Sequence, residues 1–211
     1  MTSKKIFVAL LLSGLAVLLQ GCVEMAAVGV GAGVVSAIDR RSTGAQVDDE
    51  GIELRASNRV SERFADKAHI NVTSFNRSVL LTGETPEPTI RAEVEKIVAG
   101  LQNVRGVSNE IQIAGISAYS ARASDTTITG KVKARFLDAN KFNPLHVKVV
   151  TEAGVVYLMG IVTDREAADA TQIARTTGGV RKVVKVFEYC RPTDEVCRPR
   201  ELISGGGSKA K

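Results

Sequence analysis

An internal duplication is the feature of this 211-residue chain that most constrains its fold. The run Val79–Gly83 (Val-Leu-Leu-Thr-Gly) recurs at Val156–Gly160 (Val-Tyr-Leu-Met-Gly), and His69 and His146 are separated by the same 77 positions. Self-similarity at a constant spacing indicates that one structural unit occurs twice. Only 4% of the residues are aromatic and the chain has no Trp. Two small domains with aliphatic cores are therefore a simpler solution than one large domain.

Each copy is predicted to contain its elements in the order αββαβ. In the first copy, period-two alternation predicts strands at His69–Phe75 and Ser78–Glu84, joined by a tight hairpin turn at Asn76-Arg77. The remaining predicted elements are the strands His146–Thr151 and Val155–Val162 joined at Gly154, the closing strands Val107–Ile113 and Arg181–Tyr189, and helices at Ile52–Phe64, from Pro88 to Gln102, at Thr127–Ala139 and from Asp164 to Thr177.

The predicted fold class is α+β, with two tandem αββαβ domains that each pack a small mixed three-stranded sheet on two helices. We place the first domain at residues 47–115 and the second at residues 124–190. Residues 48–115 carry 8 basic and 11 acidic side chains, whereas residues 124–190 carry 10 basic and 7 acidic side chains. This contrast suggests that the second domain faces anionic lipid and that the first is solvated or contacts a protein, although a difference of this size is also ordinary variation.

The N-terminus is predicted to be a lipoprotein signal peptide. Lys4 and Lys5 precede the apolar run Ile6–Leu19, which is too short to span a bilayer comfortably as a permanent helix. The segment that follows, Leu19–Cys22 (Leu-Gln-Gly-Cys), resembles the bacterial lipobox. That resemblance implies cleavage before Cys22, a diacylglycerol on its thiol and an acyl chain on its amine. The alternative is a plain secretory signal in which the cysteine is accidental.

The predicted lipidation fixes the expected location of the chain. Residues 1–21 are removed as the signal peptide, and residues 22–46 form the acylated N-terminus and a flexible tether. Two or more acyl chains anchor a protein firmly in a membrane. Val23 stands where inner-membrane lipoproteins carry a retaining Asp. We therefore expect a lipid-anchored protein on the periplasmic face of the outer membrane of a Gram-negative bacterium.

The repeated units resemble the BON domain, through the Val-x-Leu-x-Gly motif of each copy and the closing pairs Gly106-Val107 and Gly179-Val180. With the lipobox and the segment Gly44–Asp49, the chain from Cys22 to Tyr189 resembles the dual-BON outer-membrane lipoproteins. The resemblance implies periplasmic residence, binding to anionic phospholipid of the phosphatidylglycerol or cardiolipin type, and support of outer-membrane integrity without catalysis. It also implies a connection to the machinery that assembles outer-membrane β-barrels.

The helix that opens the second domain is the predicted phospholipid-binding element. At 100° per residue, Ile128, Val132 and Phe136 share one stripe that should face the sheet. An exposed Leu between lysines on the opposite side suits an anionic membrane surface, but a solvated helix face with one stray Leu is also common. The predicted phospholipid-binding residues are Lys131, Lys133, Arg135, Leu137, Lys141 and Phe142.

The sequence argues against an enzyme, because it contains no HExxH, GxSxG, Walker-type loop or CxxC. His69 and His146 occupy equivalent positions, which favours a role in the fold. Gly83 and Gly160 are interpreted as sites of close backbone packing or of a bulge. We expect no catalytic residue, cofactor, metal, nucleic acid or small-molecule substrate. The alternatives to a lipid-binding protein are an adaptor or regulator of the β-barrel assembly machinery with incidental lipid contact, and an unrecognised hydrolase.

Cys190 and Cys197 are the only cysteines left once Cys22 is acylated. In the oxidising periplasm they are predicted to form a disulfide, with Pro192 at a turn between them. A loop this short contributes roughly 2–3 kcal/mol at most in the chain-entropy model. Residues 191–211 lie beyond the family resemblance and are predicted to be a basic, flexible tail.

Overall fold

The computed structural model describes residues 39–198 of the protein. The predicted signal peptide, Cys22 and most of the predicted tether lie outside the described residues, as do residues 199–211 of the predicted tail. No helix within residues 39–198 is both long enough and apolar enough to cross a membrane.

Two αββαβ domains follow each other along the chain, which confirms the predicted α+β class. The first consists of α1 (Thr43–Phe64), β1 (His69–Phe75), β2 (Ser78–Thr85), α2 (Pro88–Ala99), β3 (Gly106–Asn109) and β4 (Gln112–Ile113). The second consists of α3 (Tyr119–Ala139), a 3-10 helix (Pro144–His146), β5 (Lys148–Glu152), β6 (Val155–Val162), α4 (Asp164–Arg175) and β7 (Lys182–Tyr189).

The second hairpin strand is the centre of each sheet. In the first domain β1 runs antiparallel to β2, and β3 and β4 run parallel to β2. In the second domain β5 is antiparallel and β7 parallel to β6. The predicted closing strand Val107–Ile113 is thus split in two. The Asn109 side chain accepts a hydrogen bond from the Ile111 N–H at 3.2 Å, an Asx turn that interrupts the ladder.

A buried aspartate of the opening helix holds each hairpin turn. Asp49 accepts hydrogen bonds from the backbone N–H groups of Asn76 and Arg77, at 2.8 and 2.7 Å. Asp125 accepts the equivalent bonds from Ala153 and Gly154, at 2.9 and 2.8 Å. All four turn residues have positive φ, as a tight hairpin requires. The sequence analysis did not predict this contact.

Each central strand is buried on both of its faces. Val79 and Leu81 of β2 pack against α1 and α2, whereas Leu80 points to the other face and joins a cluster that includes Tyr157 and Met159 of β6. The two sheets therefore pack against each other on the faces that the helices leave free. This interdomain cluster consists of the buried residues Phe75, Leu80, Tyr157, Met159, Ile161 and Cys197.

The two opening helices begin earlier than the sequence predicts. Helix α1 starts at Thr43 rather than Ile52, within the predicted tether, and Ser42 caps it by accepting a hydrogen bond from the Ala45 N–H at 3.1 Å. Helix α3 starts at Tyr119 rather than near residue 127. The predicted strand at His146 is also wrong at its start, because a 3-10 turn occupies that position and β5 begins at Lys148.

The two repeated glycines allow the same close approach of backbone. A Cβ added at Gly83 would collide with the carbonyl oxygen of His69, and a Cβ at Gly160 would collide with the carbonyl oxygen of His146. Gly83 also has a φ of +112°, which disfavours any other residue. The His–Gly pair thus has one structural role in both domains.

The chain beyond β7 folds back onto the interdomain cluster. Cys190 and Cys197 form a disulfide, with their Cα atoms 6.2 Å apart. Cys197 is buried against both sheets. Up to Arg198, the predicted flexible tail is a series of mostly exposed turns, which the disulfide and the apolar contact of Cys197 attach to the domains.

Candidate functional site

One apolar stripe holds α3 against the sheet of the second domain. Ile128, Val132 and Phe136 are buried there, as the helical periodicity predicts. The helix ends at Asn140, which has the left-handed conformation with a φ of 45°. The opposite side of α3 is consequently fixed in place and faces outward.

The outward face of α3 presents an apolar side chain among cations. Leu137 is 66% exposed, and Lys131 and Lys133 are exposed in the preceding turns. Neither lysine forms an ion pair with any residue in the range 39–198. Both charges therefore face solvent without a fixed counter-ion. We call Lys131, Lys133 and Leu137 the α3 surface.

Phe142, which the sequence analysis places among the lipid-binding residues, does not lie on this surface. Its side chain is only 8% exposed and lies in the core of the second domain. The Phe142 and Phe136 rings meet edge to face, with centroids 5.0 Å apart. The left-handed residue Asn140 turns the chain back after the helix, which brings Phe142 inward rather than to the membrane side.

Two further residues predicted to contact lipid already have protein partners. The Arg135 guanidinium donates hydrogen bonds to the Ile173 carbonyl and the Thr177 hydroxyl, each at 2.9 Å, so that it ties α3 to the end of α4. Lys141 forms an ion pair with Asp169 at 3.0 Å, although its side chain remains half exposed. The Arg135 guanidinium is held by neutral groups and the Lys141 charge is paired with a carboxylate, so both residues flank the α3 surface rather than form its centre.

One exposed apolar residue near this helix was missed by the sequence analysis. Leu145 is 49% exposed on the 3-10 helix, which packs against α3. Asn143 caps this short helix, with its side chain accepting a hydrogen bond from the Leu145 N–H at 3.0 Å. An Asn-Pro pair before an isolated Leu is the sequence signal that predicts such an exposed turn.

The corresponding helix of the first domain offers a different surface. Leu54 is exposed on α1 to nearly the same extent as Leu137 on α3. However, two of the charged residues of α1 are engaged with the protein itself. Glu53 accepts hydrogen bonds from Lys148 at 2.8 Å and from the Ser74 N–H at 2.7 Å, and Arg63 is paired with Glu93. Exposed arginines remain on α1, at Arg55 and Arg59, but Leu54 follows Glu50 by about one helical turn, whereas Leu137 follows Lys133.

Comparison with known proteins gives the same two repeats. The family model described as "BON domain" matches residues 48–115 and 124–191. An outer membrane lipoprotein of Haemophilus influenzae, named DolP, is 36% identical over 184 residues, which cover 85% of this chain and 94% of that protein. A 21 kDa hemolysin of Actinobacillus pleuropneumoniae is 34% identical over 72% of this chain and 79% of its own length.

A more distant relative is similar over part of the chain. The osmotically inducible protein Y of Escherichia coli is 32% identical over 117 residues, which cover 54% of this chain and 58% of that protein.

Proposed function

The chain belongs to the BON-domain family, and we propose that it binds anionic phospholipid through its second domain and so supports outer-membrane integrity. The predicted BON domains and the predicted outer-membrane localisation are confirmed by the family match and by the similarity to an outer membrane lipoprotein along almost all of that protein's length. None of the three relatives described above is named as an enzyme.

The observation that carries this proposal is the exposure of Leu137 one helical turn after Lys133, a cation without an ion-pair partner in the described residues, with Lys131 exposed on the flank of the same helix. A leucine at such a position inserts at the level of the lipid headgroups, while the lysines contact the phosphates. Each basic side chain near an anionic leaflet contributes about 1 kcal/mol. Lys131 and Lys133 together thus supply an affinity that depends on lipid charge, and Leu137 supplies an apolar anchor.

The proposal is tested with phosphatidylglycerol vesicles and a chain of residues 23–211, which lacks the acylated cysteine. All three apolar clusters lie within residues 39–198, so this chain retains its complete core. We expect it to float with phosphatidylglycerol vesicles but not with phosphatidylcholine vesicles. The double variant Lys133→Glu/Leu137→Glu should lose this binding, with an unchanged circular dichroism spectrum.

The matched control is Leu54→Glu, since Leu54 has the same type and nearly the same exposure on the first domain. It should leave flotation unchanged. Equal binding by the double variant and the wild-type chain would place the lipid site elsewhere. Equal loss in both variants would indicate a general effect of added negative charge.

A second candidate function is a protein adaptor that acts on the β-barrel assembly machinery, with lipid contact incidental. It is favoured by exposed apolar side chains at the connection between the domains, namely Ile113, Ile116 and Tyr119. Tyrosine is enriched in protein interfaces. If vesicles do not bind the chain, while Tyr119→Ser makes cells sensitive to a bulky antibiotic that an intact outer membrane excludes, this second function is supported instead.

A further inference from the structure

Three potential metal ligands from both domains meet at the domain junction. His69 opens β1 and lies opposite Glu84 of β2, and Glu152 ends β5 of the second domain. One potential ligand atom from each residue lies within 4.8 Å of the other two. A histidine nitrogen and two carboxylate oxygens therefore converge on a single point between the sheets.

The two carboxylates are buried near Arg122, which lines the same cavity as His69 and Glu152 but forms no ion pair with either carboxylate. Glu84 and Glu152 are each only 4% exposed, and neither is ion-paired with a lysine or arginine in the described part of the chain. Their hydrogen bonds come from neutral groups, the Asn71 amide at 2.7 Å from Glu152 and the Ser117 hydroxyl at 3.3 Å from Glu84. Burying two neighbouring carboxylates in this way is costly unless a positive charge joins them.

We propose that His69, Glu84 and Glu152 bind one divalent cation of the zinc type, which links the two domains. Imidazole nitrogen with carboxylate oxygen is a ligand set that zinc uses in proteins. Ligands bound to zinc at about 2.0–2.1 Å lie roughly 3.4 Å apart in a tetrahedral site, so a small rotation of the three side chains closes the set.

The surroundings fit a site with one open coordination position. A cavity of about 260 Å³ borders His69 and Glu152, and its other lining residues are polar or charged, namely Asn71, Arg122, Asp125, Thr126, Thr129 and Thr151. A water molecule in this cavity can supply the fourth ligand.

The repeat shows that the fold itself does not require this cluster. The position 77 residues after Glu84 is Ile161, and the position 77 residues before Glu152 is Phe75. The second domain thus keeps the histidine, His146, but has no carboxylate beside it at the equivalent place. Glu84 and Glu152 are additions to the common framework and do not follow from it.

The test uses the mature acylated protein in a non-ionic detergent, without a polyhistidine tag, under non-reducing conditions and after treatment with a chelator. Equilibrium dialysis with mass-spectrometric metal analysis should show one zinc ion per chain. Each glutamate supplies one of the three protein ligands. Glu84→Gln and Glu152→Gln should therefore each weaken zinc binding by about tenfold or more. His146→Asn, which changes the histidine at the equivalent repeat position, should bind zinc as the wild-type protein does.

Thermal unfolding gives a second measurement that does not depend on counting metal. Zinc should raise the Tm of the wild-type protein and of His146→Asn, and it should leave the Tm of both glutamine variants unchanged. The proposal is wrong if zinc does not bind in a one-to-one ratio or if it binds all variants equally. The proposal is also wrong if zinc changes the Tm of no form while both glutamine variants have a lower Tm than the wild type in chelator. That result would mean that Arg122, and not a metal ion, is the counter-ion of the two carboxylates.

Discussion

Arg40 binds the carboxylate of Glu166 with both terminal nitrogens of its guanidinium, at 2.7 and 3.0 Å. The same guanidinium donates a hydrogen bond to the Ile161 carbonyl at 2.8 Å. Arg40 precedes the first domain, whereas Glu166 lies in the first turn of α4 in the second domain and completes the capping box with Thr163. The ion pair therefore fastens the segment that leads into the first domain to the second domain.

Loss of this ion pair should destabilise the protein in a pH-dependent way. Burial alone would raise the pKa of Glu166, but the nearby His146 ring, the Arg40 guanidinium and the Thr163 N–H outweigh it and hold the pKa well below its usual range. At neutral pH, Arg40→Ala should lower the free energy of unfolding by roughly 1–3 kcal/mol.

The sign of the pH dependence follows from the lowered pKa. A carboxylate whose pKa is lower in the folded state than its ordinary value of 4.5 stabilises the folded state at pH values above 4.5. This contribution is lost as the pH falls below 4.5 and the carboxylate becomes protonated. Urea unfolding of the wild type and of Arg40→Ala should therefore give a difference that shrinks as the pH is lowered from neutral to acid. A difference that is constant over this range would contradict the role of the Glu166 charge.

The repeated glycines should be intolerant of even one added methyl group. Gly83→Ala and Gly160→Ala each direct a Cβ into a histidine carbonyl oxygen, and we expect a loss of roughly 2–4 kcal/mol of stability in each case. Gly130→Ala is the control, since a Cβ there meets nothing within 4 Å and alanine favours the helix by about 0.5–1 kcal/mol. Thermal unfolding that ranks the three variants otherwise would contradict this assignment.

Most strands could be predicted from the sequence, because they show either period-two alternation, as in β1, or a nearly continuous apolar run, as in β6. The bounds of β1 and β6 agree with the prediction at both ends. The start of α1 could not be predicted in this way, since its buried stripe continues through Ala45 and Asp49. A small residue and a charged residue give no apolar periodicity. Asp49 is buried because the N–H groups of the hairpin turn, the Ser74 hydroxyl and the Arg41 guanidinium all bind its carboxylate.

The packing of the two domains was also beyond the sequence analysis. The helices of an αββαβ unit cover only one face of its sheet. The pattern of the unit therefore does not indicate what Leu80 and Tyr157 pack against on the other face. The nearly continuous apolar run of β6 does indicate a strand that is buried on both faces. Of the candidate lipid-binding residues, Phe142 was misplaced because helical spacing does not extend past the left-handed Asn140.

The interdomain cluster should contribute strongly to stability. Leu80 is fully buried where the two sheets meet, and Leu80→Ala should cost about 2–5 kcal/mol. Leu54→Ala, at an exposed position of α1, should change stability by less than about 0.5 kcal/mol. Both values are obtained from urea unfolding. An effect at Leu80 no larger than that at Leu54 would mean that the sheets separate in solution.

The disulfide at the end of β7 is expected to act as a clip on the interdomain cluster. Replacing both cysteines with serine opens the short loop and removes the buried Cys197 side chain from the cluster. The combined loss should be roughly 2–4 kcal/mol. Mass spectrometry of the non-reduced protein should detect no free thiol at Cys190 or Cys197, and two alkylated thiols would contradict the pairing.

The charged and apolar parts of the α3 surface should respond differently to salt. Lys131→Gln/Lys133→Gln removes two charges worth about 1 kcal/mol each near an anionic leaflet, so binding of residues 23–211 to phosphatidylglycerol vesicles should fall by roughly tenfold or more at low salt. Because salt screens these charges, the difference from the wild type should narrow as the ionic strength rises. Leu137→Ala should instead weaken binding several-fold at every salt concentration, since the insertion of an apolar side chain is not screened.

Vesicle sedimentation over a series of salt concentrations measures both effects. If Leu137→Ala shows the same salt dependence as the lysine variant, the leucine does not enter the headgroup layer and the α3 surface acts only as a charged patch.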